Sequence, residues 1–204
     1  NPLASIDGAA EVMESSPNQE DLRIETMGII RKECSRLNRL LTNLLDFARP
    51  RSPDWAEVDI PAIFDGVVEL VQHSAGKDVQ FRCISSPALT PLIGDREQIA
   101  QIILNLTLNA AQAMPYGGEI ILRAEESEGG VLIQVRDEGE GIADEDMEKI
   151  FDPFFTTKEG GTGLGLSVVH QIVSQLGGTI KVTKNPGRGM TFSLHFPQNA
   201  GRAA

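Results

Sequence analysis

Near the start of the chain the apolar positions Leu3, Ile6, Ala10 and Met13 recur at alternating spacings of three and four, the period that gathers side chains into one stripe on a helix. Ser15-Ser16-Pro17-Asn18 breaks the pattern. A second stripe follows, Ile30, Leu37, Leu40, Leu41, Leu44 and Phe47, in a segment from about Glu20 to Ala48 whose polar positions include Arg36, Arg39 and Asp46. Two amphipathic helices joined by a short turn predict a hairpin. Two helices alone bury little apolar surface, and both stripes are wide. The hairpin is therefore expected to need a further surface, most economically a second copy of itself in a dimeric four-helix bundle. Packing on the following domain is the alternative.

Pro50-Arg51-Ser52-Pro53 stops the second helix, since each proline disfavours helix at itself and at the residue before it. This divides the chain into a hairpin at 1–49, a linker at 50–56, a larger domain at 57–198 and a tail at 199–204. The larger domain reads as a helix near Ile60–Ser74, a strand near Val79–Ile84, a long helix over Asp95–Met114, alternating strands at Glu119–Glu125 and Val131–Arg136, a glycine-rich region, a helix near Leu164–Leu176, and strands at Thr179–Thr183 and Thr191–Phe196. Gly129-Gly130 and Asn185-Pro186-Gly187 are turn signals between neighbouring strands. The expected class is α+β, with a largely antiparallel or mixed sheet covered by helices on one face.

Charge narrows the function. The 29 acidic against 18 basic residues give a formal charge of −11, which repels nucleic acid and anionic lipid at long range. Neither is an expected partner. A phosphate-rich ligand would have to be held by local backbone donors or a metal, against the overall field. Cys34 and Cys83 are the two cysteines; they lack metal-ligand spacing and form no disulfide framework, which fits a reducing, cytoplasmic setting. No apolar run approaches the roughly 20 residues needed to cross a bilayer. The chain opens at Asn1 without an initiator Met, inside a helical pattern, so upstream sequence is expected to have been removed, and it could have held sensor or membrane segments.

Four short elements carry candidate chemistry. Asn105 and Asn109 lie four apart on the long helix and share a face, so both carboxamides can serve one pocket; an amide oxygen is a suitable hard ligand for Mg²⁺, although ordinary surface asparagines read the same way. Asp137-Glu138-Gly139-Glu140-Gly141-Ile142 follows a strand directly. Its missing side chains would let a planar ligand approach while one carboxylate accepts bonds from an exocyclic amine; a plain turn is the competing reading. Phe151-Asp152-Pro153-Phe154-Phe155-Thr156-Thr157-Lys158 precedes Gly160-Gly161-Thr162-Gly163-Leu164-Gly165-Leu166, a glycine-rich segment opening a helix. Such backbone presents N–H groups to phosphate and can serve as a lid. It meets neither the Walker nor the dinucleotide spacing. Gly187-Arg188-Gly189-Met190-Thr191-Phe192 leads into the last strand, where Thr191 could reach the ring that Asp137 would recognise.

In this order the four elements resemble the catalytic domain of sensor histidine kinases, whose ATP-binding superfamily also holds gyrase, the Hsp90 chaperones and MutL; the match spans Asp95–Phe196. Asn1-Pro2-Leu3 is similar to the end of the phosphoacceptor box, and Arg36–Pro50 to the second dimerisation helix of nitrogen-regulatory-type kinases. The resemblance implies a two-layer α/β sandwich, the GHKL or Bergerat ATP-binding fold, behind a dimerising hairpin. It implies ATP and Mg²⁺ as cofactors, with Asn109 as metal ligand, Asn105 bordering the metal and phosphates, and Asp137 on the adenine amino group. Gly139, Gly141 and Ile142 would receive the ring, Thr162, Gly163, Leu164 and Gly165 the phosphates, and Thr191 the adenine.

Two features depart from the family. Its phosphorylated histidine lies one helical turn before the position of Asn1, so the chain as it stands is not expected to autophosphorylate; His73, His170 and His195 sit in no such motif. Many members carry lysine where Gln112 stands, a charge that Lys158 could replace as a catalytic contact. The resulting reading is a homodimeric kinase core that moves the γ-phosphoryl of ATP to a histidine of the hairpin and on to a response-regulator aspartate, with the proline segment as hinge. A superfamily ATPase would instead use a glutamate at the place of Asn105 to activate water, and an amide is a poor base. A nucleotide-sensing dimerisation module without catalysis is the reading from a different class.

Overall fold

The structure, a computed structural model, describes residues 2–15, 19–48, 51–76, 78–87, 89–158 and 161–198; on the second helix the side chains of residues 36 and 38–48 fall outside that description. The chain forms two units, Asn1–Arg49 and Pro50–Ala204. In the first, α1 (Pro2–Ser15) and α2 (Glu20–Ala48) pack as the expected hairpin. Ala9 and Thr26 are buried between them, and the Thr26 hydroxyl is satisfied by donating to the Leu22 carbonyl at 2.6 Å. Ala9, not the predicted Ala10, is the buried alanine. Both satisfy a three-four spacing between Ile6 and Met13, so periodicity alone could not choose between adjacent alanines. Leu3, Val12, Ile24, Met27 and Ile29 stay exposed, so the two helices leave apolar surface uncovered. The predicted stripe at Leu40, Leu41, Leu44 and Phe47, the polar positions Arg36, Arg39 and Asp46, and the positions Asn1, Pro50 and 199–204 lie outside the described side chains or residues.

The second unit starts where the linker was expected. Arg51 and Asp54 already bond to Asp95 at 3.1 and 2.9 Å, and Ala56 opens β1 (Ala56–Val58), which pairs antiparallel with β3 (Leu92–Gly94). These three-residue strands are too short to show a period. α3 (Ile60–Gln72) begins with an Asp59 cap on the Ala62 N–H and a proline in its first turn, the arrangement that satisfies orphan donors and needs no proline N–H. α4 (Arg96–Gln112) is capped by Asp95, whose Oδ1 accepts from Glu97 and Gln98 at 2.9 and 3.1 Å.

The main sheet has the order β2-β4-β5-β7-β6, from Val79–Ser85, Gly118–Ser127, Gly130–Arg136, Met190–Pro197 and Thr179–Lys184 respectively. β2 and β4 are parallel because the chain crosses between them through β3 and α4; the remaining pairs are antiparallel hairpins or neighbours. Alternate residues Ile120, Leu122, Ala124, Ile133, Val135, Phe192 and Leu194 are buried on one face. That face meets α3, α4 and α5 (Gly165–Gln175), which contribute Phe64, Ile103, Leu106 and Val169. The result is the two-layer sandwich that the alternation and the family resemblance predict. The loops that follow β5 and precede β7 emerge at one edge of the sheet, where Asp137 bonds to Met190.

Candidate functional site

Asp137 follows β5 and is 4% exposed. Its backbone N–H donates to the Met190 carbonyl at 2.9 Å, extending the β5–β7 register by one pair, so Asp137 and Met190 share the covered face of the sheet. Oδ1 accepts from the N–H groups of Gly139 at 2.8 Å and Met190 at 3.3 Å. Among the described residues these bonds fall on one oxygen, which leaves Oδ2 for a ligand donor. Burial raises the Asp137 carboxyl above the ordinary aspartate pKa; the two N–H groups and the charge of Lys158 pull it back in part.

The pleat places Thr191 differently from the sequence expectation. It pairs with the exposed Arg136 on the opposite face, and its hydroxyl donates to Asn185 Oδ1 at 2.6 Å. Asn185 Nδ2 in turn donates to the Asp137 carbonyl at 2.8 Å. Thr191 thus supports the Asp137 backbone through Asn185, while Met190 supplies the contact to the carboxylate. Asn185 reads in sequence only as a turn residue. Gly189, at φ +85, is required here: a Cβ would overlap the Asp137 carbonyl.

Gly139 is buried against the end of α4, where a Cβ would stand 2.6 Å from Ala113 Cβ and 2.9 Å from Asp137 Oδ1. Its missing side chain therefore serves the seating of the turn, reinforced by Glu140 N–H to Ala113 carbonyl at 3.2 Å. Gly141 has φ +81 and faces Met190 Sδ, with Ile142 half-buried beside it in sequence.

On α4, Asn105 and Asn109 are half-buried on one face. Lys158 Nζ reaches back to this helix end, 3.0 Å from Gln112 Oε1, 3.3 Å from the Asn109 carbonyl and 3.5 Å from Asn109 Oδ1. Desolvation by the surrounding protein lowers the Lys158 pKa below the ordinary lysine value, with Asp137 opposing. The structure thus sets the Lys158 ammonium on the amide of Gln112, where many family members carry their own lysine.

The glycine-rich segment joins the same place. Phe154 holds a left-handed φ of 68, uncommon outside glycine, and its N–H donates to the Gly163 carbonyl at 3.0 Å. Phe154 is 64% exposed. Thr162 Oγ1 accepts from the Leu164 N–H at 3.2 Å. Leu164 is a core side chain, 1% exposed, and offers a ligand only its backbone. Gly165 opens α5 beside Asn109: a Cβ there would lie 3.9 Å from Asn109 Nδ2. The site therefore assembles a buried carboxylate, an amide oxygen, a lysine ammonium and a helix N-terminus with its free N–H groups. A ligand with an amine-bearing ring at one end and several negative charges at the other matches that sequence of groups.

Among the described residues no group of three or more His, Cys, Asp or Glu side chains could cage a metal. The single amide oxygen of Asn109 fits Mg²⁺ nonetheless, because that ion keeps several waters and takes one or two protein ligands plus phosphates. His73 Nδ1 is 2.9 Å from the Glu69 carbonyl, and the His170 ring lies tilted by 42° against Phe151 with centroids 5.4 Å apart.

Comparison with known proteins identifies the family. The model of the "Histidine kinase-, DNA gyrase B-, and HSP90-like ATPase" family matches residues 94–200, and that of the "His Kinase A (phospho-acceptor) domain" matches residues 1–53. The sensor histidine kinase ZraS of Escherichia coli K12 is 39% identical over 203 residues, 99% of this chain and 44% of that protein. Among solved structures, the histidine kinase ThkA in complex with the response regulator TrrA aligns at a TM-score of 0.82 and 28% identity over 98% of this chain and 58% of that one. Full-length ShkA in complex with AMPPNP aligns at 0.77 and 28% over 96% and 43%. The chain spans a third to about half the length of the curated relatives it matches.

Proposed function

Because the chain belongs to the histidine kinase-, DNA gyrase B- and HSP90-like ATPases and forms the catalytic core of a sensor histidine kinase, we propose that it binds Mg-ATP. In the longer protein it passes the γ-phosphoryl to a histidine of the dimerised hairpin and from there to a response-regulator aspartate. The observation that carries this reading is the convergence of Asp137, Asn109, Lys158 and the α5 N-terminus on one edge of the sandwich.

Asp137 Oδ2 accepts the adenine amino group while Oδ1 stays locked on Gly139 and Met190. Gly141 leaves the ring its approach. Asn109 offers its oxygen to Mg²⁺, which when bound neutralises phosphate charge. Lys158 and the N–H groups of Gly163 and Gly165 hold the phosphates, and Asn105 borders them one turn back along α4. Positioning and charge neutralisation are the main demands of phosphoryl transfer. Uncovered apolar residues of the hairpin, Leu3, Ile24 and Met27 among them, support a homodimer through that unit.

Labelling tests the reaction. A longer chain that adds the residues preceding Asn1 should take label from γ-labelled ATP as an acid-labile phosphohistidine, and transfer it to a receiver domain. Nucleotide binding without any label would favour the sensing module instead.

The charges of the site also predict a pH profile for ADP affinity. Affinity should fall on the acid side as Asp137 gains a proton at a pH above the ordinary aspartate range, and on the alkaline side as Lys158 loses one below the ordinary lysine range. Lys158→Arg keeps a permanent charge and should abolish the alkaline limb while preserving the acid one. An alkaline limb that persists in calorimetric titrations of that variant would remove Lys158 from phosphate binding.

A further inference from the structure

The carbonyl oxygen of Arg51 accepts side-chain amides from two different helices, Gln98 Nε2 of α4 at 3.0 Å and Gln175 Nε2 of α5 at 2.6 Å. The guanidinium of the same residue lies 3.1 Å from Asp95 and 2.9 Å from Glu97, at the start of α4. The Asp54 N–H is fastened to Asp95 Oδ2 at 2.9 Å. The segment that leaves the helical hairpin is thus tied to the catalytic unit from its second residue onward. Arg51, inside the segment Pro50–Pro53 expected as hinge, carries most of these bonds.

The helices that hold this carbonyl are the ones that build the nucleotide site. α4 and α5 pack together and run antiparallel: Gln98 and Gln175 meet at one end, Asn109 and Gly165 at the other. Gln98 is 7% exposed, and its Oε1 is buried without a hydrogen-bond partner among the described residues. A buried amide with one orphaned atom is less favourable than an apolar side chain of the same shape. The bond that Gln98 makes in return is the one to Arg51.

We infer that Gln98 and Gln175 are positioning residues that clamp the Arg51 carbonyl and couple the segment following the hairpin to the nucleotide site. A change of strain at Arg51 reaches α4 and α5 at once, and so alters how Asn109 meets the Gly161–Gly165 segment. Nucleotide that draws Gly165 towards Asn109 tightens the same helix pair and with it the grip on Arg51. Coupling of this kind is reciprocal. The inference rests on the nucleotide reading above.

Hydrogen exchange of the whole chain with and without saturating Mg-ADP, run beside calorimetric titration, tests it. ADP should slow exchange in residues 51–55, where the Asp54 N–H reports the latch, by about fivefold or more, the lower end of ordinary coupling between sites. A Gln98→Leu/Gln175→Leu variant should bind ADP about fivefold more weakly, by the same reciprocity, and exchange in 51–55 should no longer respond to nucleotide. Gln175→Leu alone, at a half-buried position, serves if the double variant does not fold, and should show a diminished response. ADP that binds the unsubstituted chain without changing exchange in 51–55 would overturn the latch while leaving the nucleotide reading intact. A variant with weakened binding but a fully responsive 51–55 segment would overturn it too. No ADP binding at all would remove both readings.

Discussion

Asp137→Asn is expected to weaken ADP binding by about a hundredfold or more, equivalent to roughly 3 kcal/mol. The carboxylate is buried and already accepts two backbone N–H groups through Oδ1. In the variant the carboxamide oxygen would keep those bonds, because Gly139 and Met190 present only donors to it. Its NH₂ group would then stand where Oδ2 stood and face the amino group of adenine, donor against donor. An unmet buried polar group costs about 1–3 kcal/mol, more when a charge-assisted bond is lost. Calorimetric titration with ADP and Mg²⁺ checks the outcome, and unchanged thermal unfolding without ligand separates lost recognition from lost structure. An affinity within about threefold of the parent, less than 1 kcal/mol, would move the adenine away from Asp137.

Asp95→Ala is expected to destabilise the 50–204 unit by about 3 kcal/mol. The helix cap alone contributes about 1 kcal/mol. Here the same carboxylate also receives Asp54 N–H and the Arg51 guanidinium on its second oxygen, and its side chain is only 2% exposed. Removing it leaves partly buried donors unpaired, at about 1–3 kcal/mol for each that water cannot reach. Burial by itself would raise the Asp95 pKa. The N–H groups of Asp54 and Gln98, with Arg51, more than offset that and hold it below the ordinary value. A depressed acid contributes stability that is present above its unfolded-state pKa and lost as pH falls through its folded-state pKa. The gap between parent and variant, read from urea midpoints of the unit, should therefore be full near neutrality and shrink in acid. A midpoint shift below 1 kcal/mol at neutral pH would mean that Arg51 and Asp54 find water instead.

Much of this protein is decided by short-range pattern. The three-four spacing of apolar residues specifies the helices, because side chains that far apart share a face. Alternation over Glu119–Glu125 and Val131–Arg136 specifies strands with one buried face. The glycine-punctuated order of motifs from Asn105 to Thr191 identifies the family and its ligand class. Within each helix, strand and motif the signal lies in residues a few positions apart, where geometry follows directly from the chain.

Other features depend on pairs far apart in sequence, and only the tertiary structure decided them. Met190 and not Thr191 faces Asp137, because the β5–β7 register sets the parity of the pleat and a shift of one residue exchanges the faces. Lys158 lands on Gln112, 46 positions away, and Gln175 reaches Arg51 across 124. β1 finds β3 although neither three-residue strand has a legible period. Ala9 and Ala10 are indistinguishable until α2 packs on one of them. In each case several partners are adequate along the chain, and the selection is made by tertiary packing: of α2 on α1 in the hairpin, and of the helices and strands on one another in the second unit.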